Sequence, residues 1–216
     1  MSYEKYSQGF KLFNILTTYG DRWKLDIKHK PNIVLDKLKQ FDDDWQQYNP
    51  RKVIPRLGLS VTNLDGVLGP GPDLDSLYEL KHGYDKPYNE NDFTVPTPVY
   101  DIVSHYCDPF KEWLSRTHIL KLPAGGYFPD HIDNRGPAID SFRLLVPLQA
   151  CNSNEGGYFI HKNRIVNWEQ GTMYFVNTCK RHAAFNTNEI LDHIVLILNV
   201  KLTWESVRVA TKLLIP

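Results

Sequence analysis

Cysteine is scarce in this sequence, and any excess of basic over acidic charge is missing. Only Cys107, Cys151 and Cys179 are present, and none stand at CxxC spacing, so neither a disulfide framework nor a thiolate metal site is spelled out. Free, mostly buried thiols in a reducing compartment are expected. Lysine plus arginine and aspartate plus glutamate number 25 each. Without a basic stripe, that balance argues against a nucleic-acid partner. No apolar run approaches the ~20 residues of a membrane helix. The opening "MSYEKYSQGF" lacks the basic-then-apolar pattern of a secretory signal. A cytoplasmic protein with no membrane partner is the expectation. Internal repeats and low-complexity tracts are absent as well.

What is there is ordinary globular material: 216 residues, 42% hydrophobic and 23% charged, enough for one good-sized domain. Residues 1–116 mix short helical patterns with loops. "PNIVLDKLKQF" (31–41) opens on proline and spaces Ile33, Val34, Leu38 and Phe41 as a helix does. "RLGLSVTNLDG" (56–66) reads as a short strand entering an Asp-Gly turn, and Asp73 or Asp75 could cap the helix that follows. Residues 96–117 read as two short helices broken at Pro109.

From residue 117 the pattern changes to strands: "THILKLP", "SFRLLVPLQ", "GGYFIH", "TMYFV", "RHAAFN" and "HIVLILNVKLTW" (193–204), with turn residues between them. "IVLILNV" is apolar at successive positions, which implies cover on both faces. The expected fold is mainly β, a double-stranded β-helix (jelly roll) with an α-helical N-terminal jacket, all one domain.

"GGYFPDHIDN" (125–134) places His131 and Asp133 two positions apart, on one side of an extended chain. Alone, such a pair is more often a surface turn. His182, in "CKRHAAFN", lies after the intervening strands, and a jelly roll brings an early and a late strand together at the barrel mouth. Two imidazoles and one carboxylate on one face of a metal form the triad used for non-haem iron(II), with the other positions open.

In order, His131-x-Asp133, Arg143 in "FRLLVPL", "GGYFIH…W…GTMYFV", His182 and "HIVLILNV" resemble the aspartyl/asparaginyl β-hydroxylase branch of the iron(II)- and 2-oxoglutarate-dependent oxygenases, which includes bacterial proline hydroxylases. The resemblance covers residues 117–203; the first half carries no family motif. It implies His131, Asp133 and His182 as Fe(2+) ligands. It also implies Arg143 as a contact to a carboxylate of 2-oxoglutarate or substrate, a role suited to a guanidinium fork. The reaction implied is hydroxylation by O2 of an amino-acid residue (proline, aspartate or asparagine), free or within a peptide or protein.

One departure stands out. Where the family carries an arginine after the distal histidine, to hold the far carboxylate of 2-oxoglutarate, this chain has Asp192 and His193. His193 could bind it if protonated, as a weaker, pH-sensitive anchor. Otherwise Arg143 takes over the anchor, the cosubstrate sits differently, or 2-oxoglutarate is not used. Tyr127 and Tyr174 could point into the barrel and bind a carboxylate, or could be rim and core aromatics. Tyr158, Phe159 and Trp168 are assigned to the core. His29, His82, His105, His118 and His161 fit no ligand spacing, and Arg135, Lys180 and Arg181 read as solvated-face residues. The first half and residues 134–141 are expected to set the substrate. Two rival classes remain open: a cupin-like metalloenzyme without 2-oxoglutarate, and a noncatalytic jelly-roll binding module.

Overall fold

The computed structural model describes residues 3–49, 54–133 and 139–215, so Arg135 and the rest of 134–138, part of the loop expected to help set the substrate, fall outside them. In chain order, α1 (Tyr3–Thr18) leads to β1 (Arg22–Lys28), α2 (Pro31–Leu38), β2 (Gln46–Gln47), β3 (Leu57–Ser60) and β4 (Thr62–Asn63). Next come α3 (Leu77–His82), β5 (Val95–Pro96) and α4 (Tyr100–Cys107). The strands then crowd together: β6 (His118–Leu122), β7 (Tyr127–His131), β8 (Ser141–Gln149), β9 (Gly157–His161) and β10 (Arg164–Ile165). They continue with β11 (Thr172–Val176), β12 (His182–Asn186) and β13 (His193–Lys201), before α5 (Trp204–Lys212).

Apart from the short β4-β5 pair, the strands form two antiparallel sheets whose orders define the topology. The large one runs β1-β11-β8-β13-β6-β3-β2 and the small one β10-β9-β12-β7. Strands β6 to β13 thus divide as β6, β8, β11, β13 against β7, β9, β10, β12, the chain passing back and forth between sheets as in a double-stranded β-helix. β13 lies between β8 and β6, so the last strand closes on the first.

The large sheet is apolar on both faces, and the two faces have different partners. Phe142, Leu144, Val146 and Leu148 of β8 and Ile194, Leu196, Leu198 and Val200 of β13 share one buried cluster with helix residues. Those residues are Leu12 and Leu16 of α1, Val34 and Leu38 of α2, Val103 and Tyr106 of α4, and Val207 and Ala210 of α5. The alternate residues, Leu145 and Val195, join Leu120, Phe159, Trp168 and Tyr174 in a second cluster between the sheets. Period-two alternation accounts for the split, and each fully buried leucine contributes roughly 1.5–3 kcal/mol.

Several local expectations need correction. Ser76 caps α3, its side chain accepting from Glu79 N–H, whereas Asp73 and Asp75 do not. The last long strand stops at Lys201, where Thr203 and Ser206 form the capping box that starts α5. The first half also does more than cover the sheet, since β1, β2 and β3 extend both its edges. As expected, α4 gives way to a tighter helical turn at Asp108–Trp113, which carries Pro109 near its start. The three thiols are free. Among the described residues, no helix is long and apolar enough to cross a membrane.

Candidate metal centre

The end of β7 and the start of β12 lie side by side, with His131 and His182 as direct partners across the ladder. Their rings are 4.2 Å apart. One ligand atom from each of His131, Asp133 and His182 lies within 4.8 Å of the other two, and no other group of three or more such residues converges among those described. Each imidazole turns its Nδ1 to a backbone carbonyl two residues back: His131 to Pro129 (2.7 Å) and His182 to Lys180 (2.9 Å). Donation to a carbonyl fixes the proton on Nδ1 and leaves Nε2 with a bare lone pair, the form that binds metals. His131 Nε2 then meets Asp133 Oδ1 at 3.3 Å. A proton shared between them, or a metal cation held by both, would satisfy this contact. Burial lowers the His182 pKa to about 4; the nearby Asp133 opposes this and His131 adds to it. His182 is therefore neutral near pH 7.

Asp133 lies just beyond the end of β7, so strand alternation alone does not place it. Its backbone N–H donates to Thr178 O at 2.9 Å, and its Oδ2 accepts from Arg143 Nε at 3.2 Å. Arg143 in turn donates to Glu90 Oε1 (2.6 Å), which also accepts from Arg116 (2.6 Å), while Asn199 donates to Glu90 Oε2 (2.8 Å). All four of these residues are buried. Burial works against the Arg143 charge, but Glu90 and Asp133 outweigh it and hold the guanidinium pKa above its ordinary value. The carboxylate of the cluster is thus oriented through Arg143 by Glu90, a residue of the first half of the chain.

Beside the triad opens a cavity of about 550 Å³. Its apolar walls include Leu145, Phe159, Trp168 and Val195 from the barrel interior and Tyr48 and Leu77 from the first half. Its polar wall holds Arg56, Arg116, His118 and Arg143. Buried donors or ring nitrogens without partners gather here: Arg56 Nε, Arg116 Nε, Arg143 Nη1 and both nitrogens of His118. Buried polar atoms rarely go unpaired, so this wall suits a polar, anionic guest.

No protein-family profile matches the chain, and no curated protein matches it. Solved structures do resemble it. One is a viral collagen prolyl hydroxylase from Paramecium bursaria Chlorella virus-1, solved with 2OG: 11% identity, 85% of this chain and 96% of that one, TM-score 0.47. Another is an oxidoreductase of the 2OG-Fe(II) oxygenase family from Burkholderia pseudomallei: 14% identity, 68% and 67% of the two chains, TM-score 0.39. A third is a predicted oxalate decarboxylase from Thermotoga maritima: 20% identity, 44% of this chain and 74% of that one, TM-score 0.33. These are likenesses of fold. The functional reading rests on the side chains.

Of three residues considered for cosubstrate binding, Tyr127 and Tyr174 lie outside the cavity lining and His193 lies in it. Between the His182–His131 and Ala184–Phe128 pairs, β7 carries one residue more than β12, a bulge around Pro129, which has no N–H for the ladder. The extra residue reverses the alternation, so Phe128 lines the cavity while Tyr127, 44% exposed, does not. Tyr174 is buried outside the cavity lining, its hydroxyl accepting from Glu169 N–H at 2.9 Å. His193 does line the cavity, but its Nδ1 contacts Ala150 O at 3.0 Å, and burial lowers its pKa to about 4 despite that bond. It is a neutral imidazole with no charge to offer a carboxylate.

The same burial predicts a pH effect. The unfolded chain protonates His193 near its ordinary 6.5 and the folded chain only near 4. Its contribution to stability is therefore full above about pH 6.5 and declines as pH falls toward 4, by about 1.4 kcal/mol per unit. Urea unfolding at pH 7 and pH 5 is expected to show a shallower acid loss in His193→Gln than in the wild type. An unchanged slope would refute the assignment.

Other residues escaped the sequence reading. Phe159 and Trp168 wall the cavity, as well as belonging to the core cluster. His118, set aside for its spacing, stands in the polar wall, and burial holds its pKa well below the ordinary value. Glu90 carried no local signal; it sits in a short turn where Asn89 and Asp92 form a capping box. Arg181 pairs at the surface with Asp130, in keeping with a solvated face.

Proposed function

We propose that this protein is an iron(II)- and 2-oxoglutarate-dependent dioxygenase that hydroxylates an amino-acid residue, free or within a peptide or protein. The observation that carries this reading is the convergence of His131, Asp133 and His182 at the mouth of a large cavity, both imidazoles presenting Nε2. The donor set, two imidazole nitrogens and one carboxylate oxygen, suits Fe(2+) and leaves further positions open. When bound, the iron supplies the site at which 2-oxoglutarate and O2 react, one oxygen atom entering a C–H bond of the substrate and the other entering succinate, with loss of CO2.

The chain's own residues do the rest. Pro129 and Lys180 carbonyls hold the imidazoles in the ligating tautomer, and Arg143 holds Oδ2 of Asp133 so that Oδ1 faces the cluster. Leu145, Phe159 and Trp168 keep the cavity dry behind the metal. The aspartyl/asparaginyl hydroxylase branch suggests aspartate, asparagine or proline as the residue modified. The first half of the chain, which supplies Tyr48, Arg56 and Leu77 to the cavity, is the part placed to select among them.

The test is anaerobic titration of the iron(II)-loaded protein with 2-oxoglutarate, watching for the visible band that a 2-oxo acid produces on an iron(II) centre. The band is expected in the wild type and absent in His182→Ala. Tight iron binding with no band would favour the second reading, a cupin-like metalloenzyme without 2-oxoglutarate, for which the neutral His193 already speaks. No stoichiometric metal at all would leave a binding module.

A further inference from the structure

Among the described residues, three guanidinium groups line the cavity, and their charges are met differently. Arg116 and Arg143 both donate to Glu90, and Arg143 also to Asp133. Arg56 is 1% exposed, yet it makes no ion pair and donates no side-chain hydrogen bond to any described residue, and its buried Nε is without an acceptor. Among the described residues, ring faces meet it, with Cζ 4.3 Å from the centre of Phe128 and 5.3 Å from that of Tyr48. Cation–π contacts soften the burial of a charge but do not neutralise it. The Arg56 pKa is accordingly lowered by burial, with no carboxylate acting on it.

The segment carrying Arg56 is fitted closely to the barrel. A Cβ on Gly126 would lie 2.3 Å from Pro55 O, so only glycine at 126 admits this approach. Phe128, which touches Arg56, also touches the ring of His131 at 4.6 Å. The unmet charge and the metal cluster therefore contact the same aromatic side chain in one cavity.

We propose that Arg56 is the anion anchor of this cavity, binding one carboxylate of a small dicarboxylic acid whose other end reaches the His131–Asp133–His182 cluster. A guanidinium on an aromatic platform presents paired N–H donors that match a carboxylate bidentately. The choice of a dicarboxylate rests on the function proposed above; in that setting Arg56 takes the far carboxylate of 2-oxoglutarate. The anchor then comes from the first half of the chain, not from β13, where His193 is neutral.

The test is calorimetric titration of the wild type, Arg56→Met and Arg56→Lys with 2-oxoglutarate and with succinate, metal-free and anaerobically with Mn(2+), alongside melting of each apoprotein. Arg56→Met is expected to weaken 2-oxoglutarate binding by about 10- to 100-fold, the worth of a charge-assisted pair. Arg56→Lys is expected to fall between, with Mn(2+) affinity unchanged in both. Apo Arg56→Met should melt no lower than the wild type, because it loses an unneutralised charge and no partner.

Binding of both acids by Arg56→Met within about twofold of the wild type would overturn the anchor. If the iron(II) band with 2-oxoglutarate also persists in that variant, the dioxygenase reading stands without it. Conversely, succinate binding that depends on Arg56, in a protein that gives no such band, keeps the anchor and removes 2-oxoglutarate from the proposed function.

Discussion

Glu90→Ala is expected to destabilise the protein by about 3–5 kcal/mol, the cost of leaving buried charges without their partner. Glu90 accepts from Arg116, Arg143 and Asn199, all of them buried. Alanine leaves Arg116 with a single backbone acceptor, Asp75 O, and Arg143 with Asp133 alone. At about 2–4 °C per kcal/mol for a chain of this size, the melting temperature should fall by roughly 6–20 °C. Glu90→Gln keeps an acceptor and drops the charge, so it should fall between alanine and the wild type. The effect should also reach the metal centre: with Arg143 loosened, Asp133 loses its orienting partner, and metal affinity should drop about 10- to 100-fold in whatever Glu90→Gln protein remains folded. Urea unfolding and metal titration check both claims. A loss of less than about 1 kcal/mol in Glu90→Ala would show that the network is not under the strain its burial implies.

The second large effect is expected at His182. Its imidazole is held by Lys180 O, lies against His131, and supplies one of the two nitrogens of the cluster. His182→Ala removes a ligand outright, so iron(II) affinity should fall by at least about a hundredfold, beyond the usual cost of losing an outer partner. Arg181→Ala is the neighbouring control: its side chain is 59% exposed and pairs with a carboxylate that is itself 47% exposed. Such a pair contributes little, so iron affinity should be unchanged. Equal metal binding by wild type and His182→Ala would remove the triad, and with it the function proposed here.

Much of this was legible because some signals are local. Alternation along "SFRLLVPLQ" and "HIVLILNV" is a property of each strand, and it correctly implied a sheet covered on both sides. The pairing of His131 and Asp133 with a distant histidine needed one more premise, that an early and a late strand meet, which jelly-roll topology supplies. Of the two readings left open for Tyr127, the structure has the rim position, for an equally definite reason. Counting by twos assumes an unbroken ladder, and the extra residue in β7 near Pro129 turns Phe128 inward instead.

The sequence by itself determined the strand alternation, the proline-opened helix at residue 31 and the chemical types of the three candidate ligands, because these depend on neighbours a few positions away. Only the tertiary structure decided which charges are compensated. Arg56, Arg116 and Arg143 are the same residue type, but folding brings Glu90 to two of them and aromatic rings to the third. His193 became neutral for a related reason, since burial, outweighing the opposing bond to the Ala150 carbonyl, sets its protonation. Charge state depends on the surroundings, and here those surroundings come from segments far apart in the chain.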